Sequence, residues 1–357
     1  MFRKLIACLD LPLLFLALGL LTVGLITLYS ASSANIHLVV HQLIHAFIGF
    51  TVMFAIAIIP HAKIKDYAPV LYLFGNALLL AVLILGFISK GAQRWLGFGA
   101  FRLQPSELMK IFLPLCLSWF FAHREHPPKT KTIAYGFIIA LVPFFLVYKQ
   151  PDLGTALILL AISATAILLA GISRKLILTI ILFIAATIPV LWRHMHTYQK
   201  QRILTFLNPE ADPLGAGYHI IQSKIAVGSG GLWGKGFMQG TQAHLNFLPE
   251  HTTDFIFAVT AEEFGFVGCI IVVLLVLGIT MRIFYLSKKT LVGFCQNVCV
   301  CFGVLFFISA LINMCMVVGL LPVVGIPLPF VSYGGSNMLI TCSSLGIVMS
   351  LKNNWRN

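Results

Sequence analysis

Carboxylates able to do chemistry are few in this chain, and most of them gather toward one side of it. Of the 11 Asp and Glu residues, the eight that hydropathy and loop charge place toward one face of a membrane are Glu107, Asp152, Glu210, Asp212, Glu250, Asp254, Glu262 and Glu263. The other three, Asp10, Asp66 and Glu125, are expected to be ordinary residues of cytoplasmic loops. A partly desolvated carboxylate can act as a general base toward a hydroxyl group. Asp254 follows Pro249-Glu250-His251-Thr252-Thr253 and opens an apolar segment, so it is a candidate for this role. A carboxylate that only stabilises a helix N-terminus fits the position equally well.

A second pair of ionisable residues lies near the start of another apolar segment. Glu107 and Lys110 are three residues apart, so their side chains share one face of a helix and are predicted to form an ion pair about one turn inside the membrane. Gln104 and Pro105 mark the start of that helix. An ion near the bilayer centre costs about 2.5 to 3.5 kcal/mol and is usually paired or lines a cavity. A pair that only orients the helix and a pair that contacts a substrate are equally compatible with this spacing.

The elements that carry these residues must lie in a bilayer. The chain has 357 residues, of which 59% are hydrophobic and only 10% are charged, whereas soluble proteins carry about 25% charged residues. The net charge of +13 does not indicate a nucleic-acid-binding domain, because the basic residues are spread between apolar runs. Nearly all of the eight cysteines fall within predicted helices and show neither a disulfide framework nor a zinc pattern.

Hydropathy predicts the number and orientation of the membrane spans. A spanning helix needs about 20 mostly apolar residues, and continuous apolar runs exclude the alternation of barrel strands. We therefore predict an all-α polytopic membrane protein, residues 1–357 forming one integral-membrane domain with about ten transmembrane helices. Lys and Arg are concentrated in alternate loops, which predicts that both termini are cytoplasmic. The predicted spans are residues 11–31, 40–60, 67–89, 104–122, 131–148, 153–171, 174–192, 253–283, 292–320 and 332–351.

Residues 193–252 form a long connection between the seventh and eighth predicted helices, on the extracytoplasmic side. A loop of this length is usually functional. Its centre predicts a short helix at the membrane interface, with an apolar side and a polar side, followed by a glycine-rich strap. The apolar side is Ile220, Ile221, Ile225 and Val227, and the polar side is Gln222, Ser223 and Lys224. The strap is not a P-loop, because Gly236 follows Lys235 where Ser or Thr is required. A hinge or close helix packing explains its glycines at least as well as phosphate binding does.

Several long motifs, in order along the chain, resemble the shape, elongation, division and sporulation (SEDS) family. They are GAQRWLGFGAFRLQPSELMK, KQPDLGTA, DPLGAGYHIIQSKIAVGSGGLWGKGFMQGTQ, LNFLPEHTTDFIFAVTAEEFGFVG and GIPLPFVSYGGS. The resemblance extends over essentially the whole chain. Within the family, the Gln93-Arg94-Trp95 step, the KQPDLGTA string and the VVGIPLPFVSYGG segment are more similar to the elongation members than to the division members.

The resemblance implies a peptidoglycan glycosyltransferase that polymerises lipid II at the outer face of the bacterial cytoplasmic membrane during cell elongation and shape maintenance. The family's catalytic Asp, in a Pro-Glu-x-His-Thr-Asp-Phe motif, matches Asp254. This chain departs from the motif, because His251 stands one position early and Thr252 occupies the usual histidine position. Asn337 also replaces the serine that often follows the YGGS motif. The implied partners are a class B penicillin-binding protein and other elongation-complex membrane proteins, for which predicted helices eight and nine are the expected docking face.

The implied chemistry is an inverting glycosyl transfer from lipid-linked pyrophosphate, with Asp254 as the single base. Cations must neutralise the pyrophosphate, and the candidates are Lys110, Arg94, Arg102, Arg202 and Lys224. Gln104, Glu107, Asp152 and Glu250 are further candidates for substrate binding or for support of the site. Mg²⁺ or Mn²⁺ would suit the same role, although no ligand set is identifiable from the spacing. The alternatives are a flippase or transporter of the lipid-linked precursor, which would use Glu107, Lys110 and Asp152 as a polar path, and a scaffold that recruits a transpeptidase.

Overall fold

The structure is a computed structural model of the chain. It describes residues 9–89, 92–98, 101–125, 127–171, 193, 200, 204–211, 216–244, 247–248, 250–290 and 292–352. The predicted span 174–192 and the candidate cation Arg202 lie outside the described residues, and so does the side chain of Arg102.

The described part of the chain is a helical membrane bundle, as predicted. Its helices are α1 (Leu11–Ala31), α2 (Ile36–Ala57), α3 (His61–Leu85), α4 (Pro105–Ala122), α5 (Thr130–Lys149), α6 (Leu153–Leu169), α7 (Ala216–Ser229), α8 (Thr241–His244), α9 (Ile256–Lys288), α10 (Gly293–Val318) and α11 (Gly335–Lys352). A 3₁₀ turn covers Pro209–Ala211. Among these, α1, α2, α3, α5, α9 and α10 are long and apolar enough to cross a bilayer by length and composition. Every predicted span except 174–192 overlaps one of the helices α1 to α6 or α9 to α11, and α1 coincides with the predicted span 11–31.

A small antiparallel sheet, which the sequence did not predict, joins α3 to α4. Its strands are β1 (Phe87–Ser89), β2 (Ala92–Phe98) and β3 (Phe101–Leu103), in the order β1-β2-β3. In the pairing of β2 with β3, Leu96 stands opposite Leu103. The predicted span 67–89 therefore ends early, at Leu85, and the chain leaves the bundle as a ribbon before α4 begins.

Helices α4 and α10 lie at the centre of the bundle. Fourteen of the eighteen residues of α4 are buried, including the polar Ser106 and Ser118. Helix α10 packs against α4, α6 and α9, while α11 lies along α2. Helices α2, α3 and α5 are buried along narrow stripes and present apolar side chains outward, as expected of helices that face lipid. The residues of α4 and α10 are thus shielded from lipid, which allows them to carry polar groups.

The inner end of the bundle is closed by a carboxylate that the sequence analysis had assigned to an ordinary loop. That assignment of Asp10 is wrong, because Asp10 is fully buried and caps α1 by accepting a hydrogen bond from Leu13 N. Its Oδ1 accepts from Arg282 Nε and its Oδ2 from Arg282 Nη2 and Lys352 Nζ, each at 2.9 Å. Burial raises the pKa of Asp10, but the hydrogen bonds from Arg282 and Lys352 outweigh it and hold that pKa below its usual value. One carboxylate thereby joins α1, α9 and α11.

Helix α9 is kinked at Gly265, whose φ of 62° and ψ of −158° are not helical. The kink leaves backbone carbonyl groups before it and N–H groups after it without partners in the helix. Residues 230–240, which we call the strap, provide the missing hydrogen-bond partners. Phe266 N donates to Gly231 O at 2.9 Å, and Gly236 N donates to Glu263 O at 3.1 Å. A Cβ at Gly234 would lie 2.0 Å from Glu263 O, so only glycine allows this approach. Close packing against a helix therefore accounts for the glycines at positions 230 and 234 of the strap, where an added Cβ would lie 1.9 Å from Ala261 O and 2.0 Å from Glu263 O.

Candidate functional site

Asp254 lies in a turn just before α9, and its side chain is half-buried. The turn is closed by Phe255 N, which donates to Glu250 O at 3.2 Å, and by Thr253 Oγ1, which donates to Glu250 Oε2 at 2.9 Å. Asp254 Oδ2 lies 3.4 Å from the position that a Cβ on Gly325 would occupy. The carboxylate therefore faces the chain segment that connects α10 to α11.

The turn that carries Asp254 is held by hydrogen bonds from two other elements. Asn313 of α10 donates from Nδ2 to Asp254 O at 2.9 Å. In the connection before α11, Ser332 Oγ donates to Thr253 O at 2.6 Å and Tyr333 N donates to Thr252 O at 3.0 Å. That connection is fixed in turn by Gln42 of α2, which donates to Ser332 O at 3.2 Å and accepts from Gly334 N at 3.2 Å. These cross-links orient the backbone from which the Asp254 carboxylate projects.

The kink brings the start of α9 back toward the bundle. Along most of their length α1 and α9 pair in antiparallel fashion, from Asp10 with Arg282 to Ser30, whose hydroxyl donates to Glu263. Before the kink the direction is reversed. Thr260, three residues before Glu263, contacts Thr27, three residues before Ser30, with 3.5 Å between the two hydroxyl oxygens. This short part of α9 therefore runs parallel to α1. The first turns of α9 are thus folded inward against α1.

The site lies below the outer ends of the helices around it. Asn313 is five residues before Val318, the last residue of α10, which places it about 8 Å below that end. The connection before α11 also reaches inward, since a Cβ on Gly24 of α1 would lie 2.7 Å from Val331 Cα. Gly24 is seven residues before Ala31, so this contact lies about 10 Å below the outer end of α1. Asp254 therefore sits in a recess within the outer half of the bundle.

The predicted ion pair of Glu107 and Lys110 is present on α4 and lies deeper in the bundle than Asp254. Lys110 Nζ donates to Glu107 Oε1 at 2.6 Å, and both residues are buried. They line a small cavity of about 20 Å³ with Ser309 of α10, Pro329, and the hydroxyl groups of Thr341 and Ser344 of α11. Ser309 is one helical turn from Asn313, so the ion pair lies about 6 Å below the contact that holds Asp254. Glu107 Oε2 is buried without a hydrogen-bond partner among the described residues, which suits a cavity able to hold one water molecule.

Asp152 organises the outer ends of α4 and α6. Its Oδ1 caps α6 by accepting from Thr155 N, and its Oδ2 accepts from Gln104 Nε2 at 3.0 Å and from Ser106 Oγ at 3.3 Å. Arg94 Nη1 on β2 approaches Asp152 Oδ1 to 3.7 Å. The structure thus brings together Arg94, Gln104 and Asp152, three of the predicted site residues, as a junction between the ribbon and two helices.

Glu262 and Glu263 lie just before the kink at Gly265 and fix the strap. Glu262 is fully buried and accepts from Lys235 Nζ at 2.6 Å and from Thr241 N at 2.9 Å. A Cβ on Gly240 would approach oxygens of Glu263 and Glu262 to 3.0 and 3.1 Å, so the strap also needs a glycine at this point. Glu262 is thus paired with a basic residue, Lys235, that comes from the strap.

The remaining predicted residues occupy the rim of the site. Lys224 of α7 is exposed, and its stem crosses the end of α10, where a Cβ on Gly319 would lie 2.0 Å from Lys224 Cε. His251 donates from Nδ1 to Leu248 O at 2.7 Å, so its imidazole supports the loop backbone. Helix α7 is present, but its buried face differs from the predicted apolar side. Ser223 is buried and donates to Val317 O at 2.6 Å, whereas Ile225 is exposed.

A three-residue metal centre is not found in the part of the chain that the structure describes: no three His, Cys, Asp or Glu side chains there could together hold an ion. The described residues therefore do not provide a protein cage for Mg²⁺ or Mn²⁺, and we assign no step to such an ion. Five of the seven cysteines in the same part of the chain are buried within helices.

The sequence analysis missed the residues that hold the Asp254 turn, namely Gln42, Asn313 and Ser332. A signal for them was present, because each is a polar side chain within or beside a strongly apolar segment. Polar groups are retained inside membranes mainly where they meet a polar partner.

The comparisons with known proteins agree with one another. The FtsW, RodA and SpoVE model of cell cycle proteins matches residues 10–357. Peptidoglycan glycosyltransferase MrdB of Escherichia coli strain K12 is 45% identical over 345 residues, covering 96% of this chain and 93% of that protein. A chain of a solved peptidoglycan synthase complex, whose polymerization and crosslinking are structurally coordinated, has a TM-score of 0.84 at 29% identity, with 98% of both chains covered. RodA of Thermus thermophilus, a rod shape determining protein, has a TM-score of 0.74 at 26% identity with the same coverage.

Proposed function

The chain belongs to the FtsW, RodA and SpoVE family, and we propose that Asp254 is the general base with which it works as a peptidoglycan glycosyltransferase. Its substrate is lipid II, which it polymerises into glycan strands at the outer face of the cytoplasmic membrane. The relative at 45% identity is a peptidoglycan glycosyltransferase and is covered over 93% of its length, which supports the same activity here. Cell elongation is the proposed setting, because the motifs of this chain are similar to those of the elongation members.

One observation supports the assignment of Asp254 more than any other. The carboxylate of Asp254 is half-buried and projects from a turn with a fixed backbone. The carbonyls of Thr252 and Thr253 accept hydrogen bonds from the connection before α11, and the carbonyl of Asp254 accepts one from Asn313. Each bond fixes the backbone and leaves the carboxylate to face the recess beside Gly325. A base held in this way loses little freedom when it takes a proton from an acceptor hydroxyl group.

The proposed step is an inverting displacement. The 4-hydroxyl oxygen of the acceptor sugar attacks the anomeric carbon of the donor as Asp254 accepts the hydroxyl proton. The bond from the anomeric carbon to the pyrophosphate oxygen breaks, and the lipid pyrophosphate leaves with the electron pair. Because this leaving group is already stable as an anion, it needs neutralisation by cations rather than a proton donor.

Lys224 is the described cation best suited to meet the pyrophosphate. Lys110 is buried and already paired with Glu107, and Arg94 donates to Gln150 O and approaches Asp152. Lys224 is exposed and crosses α10 at Gly319, six residues after Asn313 and thus about 9 Å farther out along the helix axis. It therefore lies toward the headgroup region, where a lipid-linked pyrophosphate resides.

We further propose that the chain works with a crosslinking partner, a class B penicillin-binding protein. The similar chain of the peptidoglycan synthase complex belongs to an assembly that couples polymerization to crosslinking. Helix α9 offers a surface of suitable chemistry for a partner's membrane helix, since Phe266, Leu274 and Met281 are 57%, 60% and 63% exposed.

The test is polymerisation of labelled lipid II by the purified protein with its partner. Asp254→Asn keeps the shape of the side chain and removes the base, so its polymerisation rate should fall about 100- to 10,000-fold, to a residual rate measured at high enzyme concentration. The matched control is Asp66→Asn, which makes the same change at an exposed residue near the cytoplasmic end of α3 and should keep the wild-type rate. A normally folded Asp254→Asn protein that polymerises at full rate would show that the base is another group.

A further inference from the structure

Asn313 is an uncharged amide buried in the outer half of α10, with none of its surface exposed. Both hydrogens of its amide group are used, because Nδ2 donates to Asp254 O at 2.9 Å and to Ile326 O at 2.8 Å. Its Oδ1 is buried without a hydrogen-bond partner among the described residues. Burying an amide whose oxygen has no protein partner is unfavourable, so the two donated bonds are the structural reason for an asparagine here.

The two carbonyls that Asn313 binds belong to the residue that carries the carboxylate and to the segment that the carboxylate faces. One is the carbonyl of Asp254 itself, and the other belongs to Ile326, the neighbour of the Gly325 that faces Asp254 Oδ2. Neither segment is helical, so neither carbonyl has a partner from a regular helix. One amide on a central helix therefore sets the distance between the carboxylate and the wall that it faces.

We infer that Asn313 is a positioning residue for Asp254: it holds the base at the depth and orientation that the acceptor hydroxyl requires. This inference rests on the proposed function, in which Asp254 is the general base. Asn313 is not assigned a contact with substrate, and its effect passes through the backbone of Asp254 and through Ile326. Ser332 acts beside it, since its hydroxyl donates to Thr253 O at 2.6 Å and accepts from Leu328 N at 2.8 Å.

The expected effect follows from the geometry. Without Asn313, the Asp254 carbonyl loses its donor and the turn gains freedom next to the base, while the bonds from Ser332 and Tyr333 still retain it nearby. A misplacement of about 1 Å can cost about 100-fold in rate. For Asn313→Ala we therefore expect kcat for lipid II to fall about 10- to 100-fold, with KM within about threefold of wild type, because substrate contacts are unchanged.

The experiment measures steady-state polymerisation by the full chain with its partner. Asn313→Ala removes both donors, and Asn313→Asp keeps the size of the side chain but cannot donate to two carbonyls when ionised. The matched control is Asn297→Ala, which removes a buried amide from the same helix about 24 Å nearer the cytoplasm and should leave kcat unchanged. Ser332→Ala is a milder second variant, with Ser350→Ala at the inner end of α11 as its control.

A second readout separates positioning from general loss of structure. The double variant Asn313→Ala with Asp254→Asn should be no slower than Asp254→Asn alone, because Asn313 acts only through that base. A further tenfold loss in the double variant would overturn the inference, as would wild-type kcat in Asn313→Ala or a rise in KM as large as the fall in kcat. If Asn313→Ala does not fold, Ser332→Ala decides: a fall in kcat with KM preserved supports the inference, and full rate overturns it.

The same measurements distinguish this inference from the proposed function. If Asp254→Asn polymerises at the wild-type rate, the assignment of the base fails, and the role of Asn313 fails with it. If Asp254→Asn is inactive while Asn313→Ala keeps the wild-type rate, the base stands and only the positioning role is refuted.

Discussion

The strap provides the sharpest test of how the site is built, through the substitution Gly234→Ala. Gly234 has a φ of +82°, and an added Cβ would lie 2.0 Å from Glu263 O and 2.4 Å from Glu263 C. These atoms are backbone and cannot rotate away. Since real Cβ atoms essentially never approach closer than 3.0 Å, the strap must move outward by about 1 Å.

The movement would strain four hydrogen bonds between the strap and α9, two on each side of the kink. The strap donates from Lys235 N and Gly236 N, and it accepts from Phe266 N and Val267 N, at distances of 2.9 to 3.2 Å. Each such bond contributes about 1 kcal/mol net, and a left-handed backbone costs a non-glycine residue about 1 kcal/mol more. We therefore expect Gly234→Ala to reduce the free energy of unfolding by about 3 to 5 kcal/mol.

Two assays check this expectation. The midpoint of thermal unfolding in detergent should fall, and polymerisation of lipid II should fall at least about tenfold, because a kink without the strap no longer holds the first turns of α9 inward. The matched control is Gly228→Ala in α7, where an added Cβ meets nothing within 4 Å. That change should be neutral or stabilising by up to about 1 kcal/mol. The reasoning is refuted if Gly234→Ala unfolds at the wild-type temperature, or if Gly228→Ala is equally harmful.

Two further substitutions test the ion pairs at different depths. Lys110→Ala should lower turnover and also cost about 3 to 5 kcal/mol of stability, because it leaves Glu107 as a buried charge without a counterion; lost activity at unchanged thermal stability would instead indicate a substrate contact. Asp10→Asn should lower the free energy of unfolding by about 3 to 5 kcal/mol with the polymerisation rate per folded protein unchanged, since Asp10 is at the end of the bundle remote from Asp254. Because the pKa of folded Asp10 lies below the ordinary 3.8, its contribution is present above that pH and fades as the pH falls further. Wild type and Asp10→Asn should thus converge in stability at pH values below 3.8, and a constant difference there would contradict the assignment.

Sequence reasoning located the membrane helices because hydropathy and helix length are local properties. The span 11–31 coincides with α1, and Pro105 marks the first residue of α4, where a missing N–H has no cost. The ion pair of Glu107 and Lys110 followed from helical spacing alone. The ribbon between α3 and α4 was missed because two of its strands have three residues, too few to show a period of two.

The arrangement around Asp254 depended on tertiary contacts that spacing does not reveal. Gly265 looks like any other glycine in an apolar helix, and its kink follows from the strap that arrives from 30 residues earlier in the chain. Asp10 was classed by its place beside a terminus, although two distant basic residues bury it. A general base could be predicted at Asp254, but a straight helix would have left it at the membrane surface rather than inside the recess.

A lipid precursor flippase, the alternative function, would need a polar path through the inner half of the bundle. The described residues close that half instead. A polar headgroup would have to cross the inner half of the bundle on its way out of the cytoplasm, and at that end Asp10 ties α1, α9 and α11 together with three charged hydrogen bonds. Breaking a buried pair of this kind costs about 3 to 5 kcal/mol. Between that lock and the outer site, α1 and α9 meet through apolar contacts at glycines, with Leu275 against Gly19 and Leu16 against Gly278. Polymerisation needs only the outer half, because its substrates arrive there already translocated, and the recess that holds Asp254 opens within that half.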